Sequence, residues 1–398
     1  MAAAKSEVEP WLDDPLGYLI APTSSADFFA RVYESEALVA LHNAPKRFNG
    51  LLSIDTVDRL VTNVDLREGQ VDLADASRTL MRSDYVDSAG YIDRGAVADH
   101  FRGGATIILN QAHQYEPSLA RFCHALEVVF STHVQTNIYL TPPSAQGFRT
   151  HYDNHDVFVL QVEGEKDWRL YDKPIDTPFR GENFESGKHD KGELRQEFKL
   201  RAGDCAYVPR GMMHDAVSVG DSASLHVTVG LISRTWADLM LEAVSEVALR
   251  QPEFRKSLPP GFANPGFDRT AARAQIKRLA EIAAREIRLD PGLDLIADTF
   301  IRSRAADNRR AILDSTRPIT PTEKFKARAH APFRLAEDGD RLVLIAPGGE
   351  IAFNAAQRPA IERAVSGTAF TRADLGVENP DALIARLLSY GIVARTAP

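Results

Sequence analysis

The sequence predicts an α+β chain centred on a β-barrel or sandwich, with helices on either side and a small mixed module at the end. Three observations carry this. Between Thr136 and Ser233, about seven short runs are rich in Val, Leu, Phe and Tyr and are punctuated by Gly, Pro, Asp and Asn, as short strands of a closed or two-layered sheet would be. Helical periodicity dominates before and after that stretch. The 398 residues, 44% of them hydrophobic, suffice for one large core and a smaller second one.

Taken in order, SSADFFARVYESEAL has a capped helical start and an apolar stripe. IDRGAVADHFRGG reads as a short helix closed by Gly103 and Gly104, and TIILNQ as a buried strand. EPSLARFCHALEVVF is amphipathic, with Leu119, Phe122, Leu126 and Val129 on one face. The strands follow: NIYL, DVFVLQVE, WRLY, QEFKL, CAYVP, DAVSV and SLHVTVGL. Asp176 to Gly192 is polar and charged, an insertion or lid loop.

After Trp236 three amphipathic helices are expected, in TWADLMLEAVSEVALRQ, FDRTAARAQIKRLAEIAAREI and LDLIADTFIRSRAA. Such a block serves as a dimerisation element or as a helical cap. From Lys324 onward, FRLAEDGDRLVLIAPGGEIAF reads as hairpins, followed by AAQRPAIERAVSG, TRADLG, PDALIARLLSYG and a last strand, IVAR, an order that resembles a winged-helix module. The expected domains are residues 1–234, 235–320 and 321–398.

A formal net charge of -8 argues against broad, sequence-blind nucleic-acid binding. It suits a basic polypeptide partner and is also ordinary for a cytosolic protein. The recognition-like stretch PDALIARLLSYG has one arginine, a poor footprint for direct DNA contact. Two isolated cysteines, Cys123 and Cys205, make neither a disulfide framework nor a zinc cluster. MAAAKSEVEPWLDD lacks the apolar core of a signal peptide, and no apolar run is long enough to span a bilayer. A soluble, cytoplasmic protein is expected.

The chemistry concentrates in RTHYDNHDVFVLQVEGEKDWRLY and AGDCAYVPRGMMHDAVSV. Residues i and i+2 of a strand face the same way, roughly 6–7 Å apart, so His151 and Asp153 converge on one ion from a single strand. His214, after the turn Pro209-Arg210-Gly211, supplies a third ligand at a barrel mouth. Two imidazoles and one carboxylate leave open positions on an octahedral ion, as non-haem iron(II) oxygenases require. By strand rise His155 lies roughly 13 Å from His151, and Asp156 points to the other face.

Lys166 shares a strand face with Trp168 and Leu170, and a lysine among inward apolar residues calls for an anion. The distal carboxylate of 2-oxoglutarate is one such anion; a solvated lysine in the turn after Gly164-Glu165 is the plainer alternative. Asn137 and Tyr139 share a face, as do His226 and Thr228, either as donors to a bound dicarboxylate or as satisfied core polar groups.

NIYLTPPSAQGFRTHYDNHDVFVLQVEGEKDWRLY, GDCAYVPRGMMHDA and SLHVTVG together resemble the ribosomal oxygenases, a branch of the JmjC-type, cupin-like hydroxylases. Weaker likeness in FNGLLSIDTVDRL and TIILNQAHQYEPSLARF and in the tail extends this over most of the chain. The resemblance implies a double-stranded β-helix (jelly-roll, cupin-like), a helical dimerisation region, a C-terminal winged helix and a homodimer. It implies Fe(II) on His151, Asp153 and His214, and 2-oxoglutarate held by Lys166 with Asn137, Tyr139 and Thr228. The implied reaction consumes O2, decarboxylates 2-oxoglutarate to succinate and CO2, and hydroxylates an Arg or His side chain of a ribosomal protein.

Two departures bear on the substrate. Tyr33-Glu34-Ser35-Glu36-Ala37 stands where the family has a Trp-Glu-Lys-Lys-Pro-like stretch, and His155-Asp156 follows the HxD; both are expected near a substrate entrance. Competing readings keep the chemistry but act on a small biosynthetic peptide or a methylated lysine, or make the chain a catalytically silent, dimeric binding module. Zinc or manganese on the same triad would leave Lys166 without a dicarboxylate to neutralise.

Overall fold

The structure, a computed structural model, describes residues 9–396, so the first eight residues of the MAAAKSEVEPWLDD stretch lie outside the described residues. Among the described residues, no helix is long and apolar enough to cross a membrane. The chain divides into two compact units, one through Ser233 and one from Arg234.

The first unit holds ten strands: β1 (Leu38–Ala40), β2 (Val71–Ala74), β3 (Thr106–Leu109), β4 (His133–Thr141), β5 (Asp156–Glu163), β6 (Glu165–Tyr171), β7 (Leu194–Arg201), β8 (Cys205–Val208), β9 (His214–Val219) and β10 (Ser224–Ile232). They form a seven-stranded sheet in the order β1-β8-β5-β10-β4-β3-β2 and a three-stranded sheet, β7-β6-β9. The pairings within both sheets are antiparallel.

DVFVLQVE explains the layering. It is apolar on both faces, and a strand of that kind belongs at the centre of a covered sheet. Val157 and Val159 meet Trp168, Leu170 and Leu200 of the small sheet. Phe158, Leu160 and Val162 join the main core with Phe122 and Leu126 of the helix Pro117–Phe130. β10 obeys the same two-residue period: Leu225, Val227, Val229 and Leu231 enter the main core. His226 and Thr228, between them, therefore face the gap between the sheets.

Two expectations need revision. SSADFFARVYESEAL is not one regular helix but a short turn, Ser25–Asp27, running into a π-helical turn, Phe28–Val32. Phe28 is drawn into an aromatic cluster, its ring 5.0 Å from Tyr207 and 5.7 Å from Phe158, so core packing overrides helical propensity. β1 and β2, of three and four residues, are too short to show a period and were not anticipated.

The second unit contains the three expected helices, Trp236–Arg250, Thr270–Glu286 and Leu289–Ser303. They precede β11 (Phe325–Ala327), β12 (Arg334–Asp338), β13 (Arg341–Ala346), β14 (Gly349–Asn354), helices Arg358–Val365 and Pro380–Ser389, and β15 (Val393–Arg395). β12, β13 and β14 form a meander and β11 pairs with β15. Phe325, Leu344, Ile361, Phe370 and Leu387 make its core. The expected blocks 235–320 and 321–398 fall within this one unit, where Arg334 of β12 ion-pairs with Asp294 at 2.7 Å and Asp298 at 3.1 Å on the helix Leu289–Ser303.

Candidate metal centre

His151, Asp153 and His214 come together at the mouth between the sheets. Their ligand atoms all lie within 4.8 Å of one another. His214 opens β9, between Leu170 of β6 on one side and His151, joined by an isolated antiparallel bridge, on the other. The imidazole centroids are 4.5 Å apart, and Asp153 Oδ2 is 3.8 Å from His214 Nε2.

The two rings are oriented alike. His151 Nδ1 lies 2.9 Å from the carbonyl of Arg149, and His214 Nδ1 lies 2.9 Å from the carbonyl of Met212. A carbonyl only accepts, so Nδ1 carries the proton in each ring and Nε2 offers its lone pair. Backbone carbonyls commonly orient metal-ligating histidines in this way. Burial, reinforced by His151, pushes His214 down to about 4, which keeps it neutral and able to ligate near neutral pH. Burial alone would raise the Asp153 carboxyl, but the imidazoles of His214, His155 and His151 outweigh it and hold it below the usual range.

The expectation that His151 and Asp153 sit on one regular strand is corrected. β5 begins only at Asp156; the chain bends at Asn154 and His155. The bend also removes the distance argument against His155, which lies close enough to affect the Asp153 carboxyl. His155 stays outside the group of three for another reason: its ring lies against Gly230 of β10. A Cβ at Gly230 would stand 2.6 Å from that ring, so a side chain there would force the imidazole to move.

Asp156 is fully buried and accepts from Tyr207 Oη at 2.7 Å and Arg210 Nη1 at 2.7 Å. Arg210 also pairs with Glu34 at 2.6 Å, and the Glu34 N–H donates to Tyr207 Oη at 2.8 Å. Glu34 and Asp156, expected near an entrance, thus hold each other through Arg210 and are not among the cavity-lining residues. The aromatic at the mouth is Phe148, whose ring centroid is 5.4 Å from His151 and 6.1 Å from Tyr139.

At the other end of the same cavity lies Lys166, fully enclosed, its Nζ donating to Thr141 Oγ1 at 2.9 Å. Among the described residues no carboxylate ion-pairs with it, and burial lowers its pKa to about 7. Tyr139 and Thr228 line the cavity with it, and Tyr139 stacks on His226 with centroids 4.7 Å apart. Two buried donors or acceptors there, Trp168 Nε1 and His226 Nδ1, have no hydrogen-bond partner among the described residues. Asn137 is placed one step away: its Oδ1 accepts from the Gln111 N–H at 3.0 Å and its side chain bonds Tyr139, while it does not line the cavity.

Two imidazoles and one carboxylate beside a buried lysine with no carboxylate partner among the described residues fit a divalent metal with a chelating dicarboxylate. Thr106, Thr141, Phe148 and Asp215 are cavity or Lys166 contacts that sequence reasoning missed. Asp215 accepts from Thr150 Oγ1 at 2.7 Å and Tyr171 Oη at 3.0 Å, a pairing of distant segments that leaves no local signature.

Residues 108–239 match the JmjC domain family. The chain carries a JmjC domain. All three candidate ligands and Lys166 fall inside it. A Dictyostelium discoideum protein called bifunctional lysine-specific demethylase and histidyl-hydroxylase NO66 is 34% identical over 66% of this chain and 52% of its own length. Human ribosomal oxygenase 1 is 32% identical over 62% of this chain and 39% of its own. The chain thus spans about half, or less, of these relatives. The fold of an Escherichia coli ribosomal oxygenase, YcfD, solved with cobalt and 2-oxoglutarate, covers 94% of this chain and 99% of that one, with a TM-score of 0.53 and 16% identity.

Proposed function

We propose that the chain is an Fe(II)- and 2-oxoglutarate-dependent oxygenase that hydroxylates an Arg or His side chain of a ribosomal protein. The observation that carries this is one cavity with the His151, Asp153 and His214 ligand atoms at one end and the anion-free ammonium of Lys166 at the other. The names of the relatives point the same way for the substrate.

When bound, iron with 2-oxoglutarate supplies the oxidation of an unactivated C–H, with O2 consumed and succinate and CO2 released. The protein's part is positional. His151, Asp153 and His214 would hold the metal between them. Lys166 and Thr141 would hold the distal carboxylate, with Tyr139, Thr228 and the Trp168 N–H as further polar contacts. Val157 and Val159 keep water away from the cavity floor.

The test is incubation of the protein with Fe(II), 2-oxoglutarate and a ribosomal extract. One ribosomal protein should gain the mass of one oxygen atom, and a His151→Ala protein should produce none. Loss of a methyl group from a lysine instead would favour the demethylase named among the relatives.

We further infer a homodimer formed through residues 235–320, where Trp236 is 79% exposed with Leu241 and Leu249 on the same helix, and a winged-helix-like module over 321–398. Light scattering should give twice the chain mass. A cytoplasmic location suits such a substrate, and localisation of the tagged chain tests it.

A further inference from the structure

The segment carrying two of the candidate ligands is held from behind. In His151-Tyr152-Asp153-Asn154 the odd members face the cavity, whereas Tyr152 and Asn154 reach the loop after β6. Asn154 Nδ2 donates to the Arg180 carbonyl at 2.6 Å and to Asn183 Oδ1 at 2.7 Å. Tyr152, 2% exposed, places its hydroxyl 3.3 Å from the carbonyls of Glu182 and Asn183. The Phe184 ring lies 5.5 Å from Tyr152 and 6.3 Å from His151, and Tyr152, Tyr171 and Met213 form a small separate core with Ile175 and Phe184.

The same loop reaches the third ligand. The Tyr171 N–H donates to the Met213 carbonyl at 2.7 Å, one residue before His214, and the Met213 N–H donates to the Asp172 carbonyl at 3.2 Å. The Gly211 N–H donates to the Asp153 carbonyl at 2.9 Å. A Cβ on Gly211 would stand 2.1 Å from the Ile175 carbonyl, so the loop lies directly on the turn that delivers His214. At its base, the Glu193 N–H and Arg195 both donate to the Asp172 carboxylate.

We propose that residues 172–184 are a fixed strap that pre-orders all three metal ligands, with Asn154 and Tyr152 as positioning residues for the metal. The stretch 152–155, after the single bridge at His151, leaves the sheet ladder and so lacks the restraint that β5 enjoys. The strap replaces that restraint, and the metal then binds without ordering its own ligands. Of residues 185–192, largely exposed, His189 packs on Tyr152 with ring centroids 6.0 Å apart and Lys191 lies 4.6 Å from the Tyr171 ring centroid, while 186–188 are exposed and outside the strap. The inference rests on the metal-centre reading above and adds to it which residues set the affinity.

The test is the Kd for Co(II), measured anaerobically by calorimetry and by the cobalt absorption bands, on the full chain without co-substrate. Asn154→Ala, at a site near the surface, should raise Kd about tenfold or more and shift the bands, as loss of an outer-shell partner does. Tyr152→Phe, which keeps the ring packing, should raise it by a smaller factor. Replacing residues 186–188, which are exposed, with an equal-length Gly/Ser run should leave Kd within about twofold. A parent that binds no Co(II) overturns the metal centre and the strap together. A parent that binds, with Asn154→Ala unchanged in Kd or lowered only in melting temperature, overturns the strap alone.

Discussion

His151 and His214 exchange both main-chain hydrogen bonds across a single antiparallel bridge, 3.0 and 2.7 Å long, and each turns Nδ1 back onto the carbonyl two residues before it. The two Nε2 atoms are thereby aimed at one point before any ion arrives. Little reorganisation of these two rings is left for the metal to drive, so loss of either ring costs affinity directly. Replacement of His214 by Ala should raise the Co(II) Kd by at least about a hundredfold, measured by calorimetry, because two ligands cannot replace three.

Lys166 predicts a pH effect with a definite sign. Burial lowers its pKa from 10.5 to about 7 in the folded protein. Between these values the unfolded chain binds the extra proton, so the ligand-free protein gains stability as pH rises from about 7 to 10.5. Lys166→Met should lack that rise in urea titrations across the window. A bound dicarboxylate favours the ammonium, so 2-oxoglutarate binding at pH 8.5 should take up close to one proton. Calorimetry in two buffers of different ionisation enthalpy reads that uptake directly.

Trp168 Nε1 is a buried donor with no partner among the described residues. If a ligand oxygen accepts from it, Trp168→Phe should raise the Kd for 2-oxoglutarate about tenfold while leaving the Co(II) Kd within about twofold. Equal loss of both affinities would assign the indole to packing against His214, 6.0 Å away, rather than to ligand binding.

Asp156 is fully buried and depends on Arg210 for its counter-charge. Arg210→Met should cost about 3–5 kcal/mol in urea unfolding, since it strands the carboxylate. Adding Asp156→Leu to that variant should recover most of the loss. If the double variant is no more stable than the single one, the pair is not the source of the cost.

Much of the site was legible because its signals are local. The branched and aromatic apolar run in DVFVLQVE marks a strand, and β5 is that strand, covered on both faces. The alternation Lys166, Trp168, Leu170 points the ammonium inward, and the structure buries it in the cavity. The π-helical turn at Phe28–Val32 was not legible, because it is dictated by Tyr207 and Phe158, far along the chain.

By itself the sequence determined which residue types stand at positions 151, 153, 166 and 214, and the two-residue period that turns β5, β6 and β10 inward or outward. Both are properties of short stretches. Only the tertiary structure decided how the triad closes: through a bend at Asn154 and His155 rather than along a regular strand, with Gly230 receiving the His155 ring. It also decided that Thr141 meets Lys166, that Arg210 meets Asp156 and Glu34, and that the loop expected as a lid ties down Tyr152 and Asn154. These contacts join segments up to 176 positions apart (Glu34 and Arg210), so no local period or spacing encodes them.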